Sequence, residues 1–112
     1  MTLQDLFNEK PTKVWLQYED DGFYDREGLL ECDKLLDGYL NQLLTLEEIN
    51  PDRIMGTVEK LILALNDVNH DYDYFIETSE REELIEFIKT AAKLAGLDIE
   101  DGHDITLALR EW

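Results

Sequence analysis

Ser79-Glu-Arg-Glu-Glu-Leu-Ile-Glu-Phe-Ile-Lys-Thr-Ala-Ala-Lys-Leu-Ala-Gly96 decides the fold class. Leu84, Ile85, Phe87, Ile88, Ala91, Ala92 and Ala95 recur at three and four residues and make one broad apolar face, the period of an α-helix. Ser79 and Glu82 have capping-box spacing, and Glu80, Glu82 and Glu83 load the first turn with the charge that a helix start favours. Lys89 and Lys93 favour the C-terminal half, and Gly96 stands where a helix closes in the left-handed conformation. The stretch predicts a helix over residues 79–95.

The same period appears twice upstream. Leu29, Cys32, Leu36, Tyr39 or Leu40, and Leu43 predict a helix from about 25 to 44. Ile54, Val58, Leu61, Ile62, Leu65 and Val68 predict another from about 50 to 68. Asn50 caps it, Pro51 takes its first position, and Asp52 adds a favourable charge. Gly56 lies inside this helix at a cost of about 1 kcal/mol relative to Ala. Close packing against another element and a tolerated defect are equally simple readings of it.

The ends read as shorter pieces. Thr2 and Asp5 cap a short helix carrying Leu3, Leu6 and Phe7, which stops before Pro11. Asp104 caps a last short helix with Ile105, Leu107, Ala108 and Leu109, ending at Trp112. Between Lys13 and Tyr18 the pattern changes. Val14, Leu16 and Tyr18 alternate with Trp15 and Gln17, a strand period, and Glu19-Asp-Asp-Gly22 is a turn signal before Phe23 and Tyr24. This predicts an extended aromatic arm near 13–24, with a short hairpin as its alternative form. The expected architecture is a single all-α domain over 1–112: a small bundle of three main helices with short N- and C-terminal helices.

Composition supports one globular domain, with 44% apolar and 10% aromatic residues in 112. Charge is more telling. Twenty-seven acids against ten Lys and Arg leave −17. That field repels phosphate backbones and anionic membranes and attracts basic proteins; it also serves solubility alone. Cys32 is the sole cysteine, so no intrachain disulfide forms, and it sits on an apolar stripe as a small core residue. Its neighbours Glu31 and Asp33 would raise its pKa, which argues against a nucleophile. The N-terminus lacks a basic region followed by an apolar run, and apolar runs are only a few residues long. Cytoplasm is the expected compartment. The scattered glycines form no phosphate-binding loop.

The candidate site is Asp67-Val-Asn-His-Asp-Tyr-Asp-Tyr-Phe-Ile-Glu-Thr-Ser-Glu80, an acidic, aromatic connector between the second and third helices. A calcium loop starting at Asn69 would place Asp71, Asp73 and Glu80 correctly, but Asn69 replaces the first Asp and Tyr74 stands where Gly is required. Starting at Asp67 puts Thr78 at the bidentate position. His70 and His103 each have an adjacent acid, Asp71 and Asp104, but nothing in the sequence joins them into an acid–base pair. No catalytic residue, metal ligand or cofactor is therefore assigned. Tyrosines among carboxylates suit a surface that anchors by aromatic burial and selects by charge. Asp67, His70, Asp71, Tyr72, Asp73, Tyr74 and Glu77 are the expected partner-binding residues. The plainer alternative is that Tyr74 and Ile76 seal a junction between helices.

The C-terminal third, from Phe75-Ile-Glu-Thr-Ser-Glu-Arg-Glu-Glu-Leu84 through Ala92 and Gly96 to Asp104-Ile-Thr and Arg110-Glu-Trp112, resembles small acidic bacterial proteins of uncharacterised function. In size, acidity and helical content the chain also resembles immunity proteins of bacterial toxin systems. That second resemblance implies binding to a cognate basic toxin domain and blocking it. The expected function is thus a non-enzymatic protein-binding domain of that kind. A DNA-mimicking regulator is the alternative, with a calcium-binding module and a small hydrolase behind it.

Overall fold

Asp25 opens the first long helix, its carboxylate accepting from the N–H groups of Glu27 at 2.9 Å and Gly28 at 3.4 Å. The computed structural model describes residues 1–17 and 25–112. Its elements are a 3-10 turn at Gln4–Asn8 and helices α1 (Pro11–Gln17), α2 (Arg26–Leu44), α3 (Pro51–Asp71) and α4 (Thr78–Leu94), with no strand among the described residues. The all-α bundle and its three main helices stand as the apolar periods predict.

Helix α2 buries Leu29, Cys32, Leu36, Tyr39, Leu40 and Leu43, and α3 answers with Ile54, Val58, Leu61, Ile62 and Leu65. The two run antiparallel, so that Tyr72 at the end of α3 lies on Gly28 at the start of α2. Asn50 caps α3 through the Arg53 N–H at 3.2 Å. Gly56 is exposed with open space around its Cα, which resolves it as a tolerated defect. Helix α4 lays Leu84, Phe87, Ile88, Ala91 and Ala92 on this pair. The buried Tyr39 hydroxyl donates to the Ile88 carbonyl at 2.8 Å, joining α2 to α4 at mid-height.

The start of α4 differs from the sequence expectation. The cap is Glu77, not Ser79, and the box is closed by Glu80, which accepts from the Glu77 N–H at 3.3 Å. The reason lies upstream: Ile76 is already anchored, so the helix must begin directly after it. The other end follows expectation. Gly96, at φ 113°, donates to Lys93, and Leu97 donates to Ala92, the paired bonds of a Schellman close.

Two terminal expectations are corrected. Residues 13–17 are not an extended arm: Pro11 begins a helix there, and Pro11, Thr12 and Trp15 are buried while Val14 faces solvent. Proline's preset φ suits a first helical position, and burial at i, i+1 and i+4 is helical, so Trp15 overrode the alternation of Val14 and Leu16. The remainder of the proposed arm or hairpin, 18–24, lies outside the described residues. The segment 104–112 is a run of turns, not a helix. The Asp104 carboxylate takes the Thr106 N–H at 2.8 Å and the Thr106 hydroxyl at 2.5 Å, which competes with helical bonding. Asn66 then grips the segment from α3, donating to the Leu109 carbonyl at 3.0 Å and accepting from the Glu111 N–H at 2.9 Å. At the other terminus Thr2 and Asp5 exchange the expected bonds, each backbone N–H donating to the other's side chain, but the N-cap of the 3-10 turn is Leu3, not Thr2.

A buried lysine between two partly exposed carboxylates ties the N-terminal elements on. Lys10 reaches Asp33 at 2.9 Å and Asp37 at 2.7 Å, and the Thr12 hydroxyl donates to Asp33 at 2.5 Å. Trp15 Nε1 donates to Glu83 at 2.6 Å, fastening α1 to α4.

Candidate functional site

Helix α3 runs three residues beyond its expected end and carries half of the proposed site with it. Asp67, His70 and Asp71 therefore sit on exposed helix, one turn apart. Tyr72 is the C-cap. Asp73 and Tyr74 then take left-handed conformations, at φ 61° and 57°. Two consecutive non-glycine residues there cost about 1–2 kcal/mol each. The turn is held by Tyr74 N–H donating to the Asn69 carbonyl at 2.7 Å and by Ile76 N–H donating to the Asn69 side chain at 2.9 Å. Glu77 is exposed at the head of α4.

This turn separates two neighbouring tyrosines. Tyr72 folds inward over Gly28, half-buried, and a Cβ on Gly28 would meet its Cγ at 2.8 Å. Tyr74 projects outward, 59% exposed, and its ring meets His70 edge-on at 5.6 Å between centroids. His70 Nδ1 lies 3.4 Å from Asp71.

Because Tyr72 docks on α2, it brings the acids of that helix into the site. Partial desolvation raises the Tyr72 hydroxyl above its ordinary pKa, and the charges of Glu27, Glu31, Asp25 and Asp71 add to this. Three of these four carboxylates come from the start of α2 and were absent from the sequence-derived set. Gly28, inside the first turn of α2, was the signal available: a glycine inside a helix marks a place where another group can come close. The expected residues Asp67, His70, Asp71, Tyr72, Asp73, Tyr74 and Glu77 thus share one end of the bundle with Asp25, Glu27 and Glu31.

The electrostatics of this end are uneven. At the start of α2, Asp25 and Glu27 complement the helix dipole. At the end of α3, Asp67 and Asp71 oppose it, with only His70 as a basic group in the last turn. Backbone strain and unfavourable charge therefore coincide at one exposed turn.

Other candidate chemistry is differently placed. Glu80, the twelfth position of the calcium-loop reading, is buried and committed to the Glu77 N–H, while Asp67 to Asp71 are helical. Among the described residues no three His, Cys, Asp or Glu side chains converge as a metal site would need. Cys32 is fully buried, and burial, then Asp33, pushes its thiol up to about 12. His103 lies in the loop before the C-terminal turns, on a different element from His70. No helix of the described residues is long and apolar enough to cross a membrane.

No family model, curated protein or solved structure matches this chain.

Proposed function

We propose that the chain is a non-enzymatic binding domain that docks a basic protein through the end of the bundle bearing Tyr72 and Tyr74. The observation that carries this reading is the turn at Asp73 and Tyr74. It is strained, it gathers acid at the unfavourable end of α3, and it holds Tyr74 outward while Tyr72 folds inward beside the carboxylates of Glu27, Glu31, Asp25 and Asp71. Departures from local preference concentrate where function demands them. An exposed aromatic supplies an anchor for burial, and the surrounding carboxylates steer and select a cationic surface. The net charge of −17 extends that steering to long range.

In the form that the sequence resemblance implies, the partner is a toxin domain and the chain is its cytoplasmic neutraliser. Affinity capture, followed by co-expression with the captured protein, tests both levels. A basic protein that binds wild type and is lost with Tyr74→Ala supports the docking surface. Growth rescue by wild type, absent with the same variant, supports neutralisation. Capture of an acidic or neutral protein, unaffected by Tyr74→Ala, would overturn the proposal.

A further inference from the structure

A second surface lies away from Tyr74. Met55 on α3 precedes Asp71 by sixteen residues, about 24 Å along the helix axis. There the chain after α4 crosses α3 and leaves a groove of about 650 Å³ lined by half-buried Met55, Leu97 and Ile105, with Leu107 at its edge. Residues 97–100 alternate: Leu97 and Ile99 turn inward, half-buried and buried, while Asp98 and Glu100 face solvent along the rim. No Lys or Arg lines the groove. The one other carboxylate, Asp104, is held by Arg110 at 3.2 Å, and among the described residues neither Asp98 nor Glu100 is in an ion pair. Leu107 is 63% exposed at the edge of this groove.

We propose that this groove seats a cationic amphipathic helix of another protein. Such a helix presents an apolar stripe at i, i+3, i+4 and i+7 to a hydrophobic groove. Its flanking Lys or Arg side chains would meet Asp98 and Glu100 on the rim. The rim carboxylates disfavour an acidic occupant and favour a cationic helix over a neutral one. A second copy of this chain would bring its own −17 against this rim.

The test uses a synthetic Leu/Lys peptide of about 18 residues with that helical period. Its control is a shuffled peptide of the same composition. Binding to the isotopically labelled full chain is followed by amide shifts at physiological salt. The periodic peptide is expected to bind at least about tenfold more tightly than the shuffled one, shifting the amides of Leu97, Leu107 and Ala108. Leu107→Glu, and separately Ala108→Glu, should weaken it about tenfold although each adds attractive charge. Both positions are exposed, so the fold is kept, and circular dichroism checks this. Tyr74→Ala should leave the affinity unchanged. Equal binding of both peptides would overturn the proposal, as would shifts centred on residues 67–77 or a dimer in sedimentation that Leu107→Glu dissolves. Failure here leaves the Tyr74 surface standing, because its capture test reads a different residue.

Discussion

The side-chain oxygen of Asn69 accepts the backbone N–H of Ile76 at 2.9 Å, across the two left-handed residues, Asp73 and Tyr74, that follow the C-cap of α3. Asn69 is 3% exposed, and its own carbonyl takes the Tyr74 N–H. One asparagine therefore closes one helix, positions the start of the next and sets the direction in which Tyr74 points.

Removing that acceptor should loosen the whole turn. Asn69→Ala leaves the Ile76 N–H buried without a partner, at an expected cost of about 1–3 kcal/mol. Urea unfolding measures it. Hydrogen exchange should accelerate at Tyr74 and Ile76 first. A change below about 0.5 kcal/mol with unaltered exchange at these amides would contradict the role given to Asn69.

Two glycine substitutions should move stability in opposite directions. Gly56→Ala enters open space on an exposed helix and should stabilise by up to about 1 kcal/mol. Gly28→Ala carries the same helical gain but drives a methyl to 2.8 Å from Tyr72 Cγ. It should destabilise and displace the tyrosine, which amide shifts at residues 71–74 would report. Stabilisation by both substitutions would mean that Tyr72 does not rest on α2.

Lys10 should be most valuable below strongly alkaline pH. Burial pulls its ammonium down, but Asp37 and Asp33 outweigh this and leave its pKa above the ordinary 10.5. A raised pKa contributes stability that is complete below 10.5 and fades as pH rises through the higher value. Lys10→Met should cost about 1–3 kcal/mol at neutral pH, with the gap to wild type closing only above pH 10.5. A gap that closes near neutrality would contradict the assignment.

Asp104 should act at the acid end. Burial raises its carboxyl, yet the Thr106 hydroxyl and N–H and the Arg110 guanidinium more than offset this, and its pKa lies below the ordinary 3.8. Its contribution is present above 3.8 and lost as pH falls through the lower value. Asp104→Asn should cost about 0.5–1.5 kcal/mol at neutral pH and nothing once wild type is protonated. A gap that does not change with acid would show that the Arg110 pair contributes nothing.

The three main helices were legible because Leu, Ile and Ala recur at a single period and because Asn50, Pro51 and Gly96 punctuate them. What escaped was the work of polar side chains reaching across the fold. Nothing local in Ile76 announces that Asn69 will take its N–H and move the α4 cap from Ser79 to Glu77. Asn66 holds the C-terminal turns away from a helix that their composition permits. Trp15 read as one residue of an alternating pattern until its burial against α4 made Pro11 a helix start. For the candidate site, the α3–α4 half could be read in order along the chain. The α2 half could not, since Asp25, Glu27 and Glu31 arrive only through the contact of Tyr72 with Gly28.

The most direct test compares two charge reversals of equal size for affinity toward the captured basic partner. One changes Glu27, Glu31 and Asp71 to Lys around Tyr72. The other changes Glu47, Glu48 and Asp52 to Lys at the far end of α2 and the start of α3. If the partner docks at Tyr72 and Tyr74, the first set should weaken binding by about a hundredfold and flatten its salt dependence, and the second by less than about threefold. Equal losses from both sets would show that net charge alone drives association and would contradict a defined docking end.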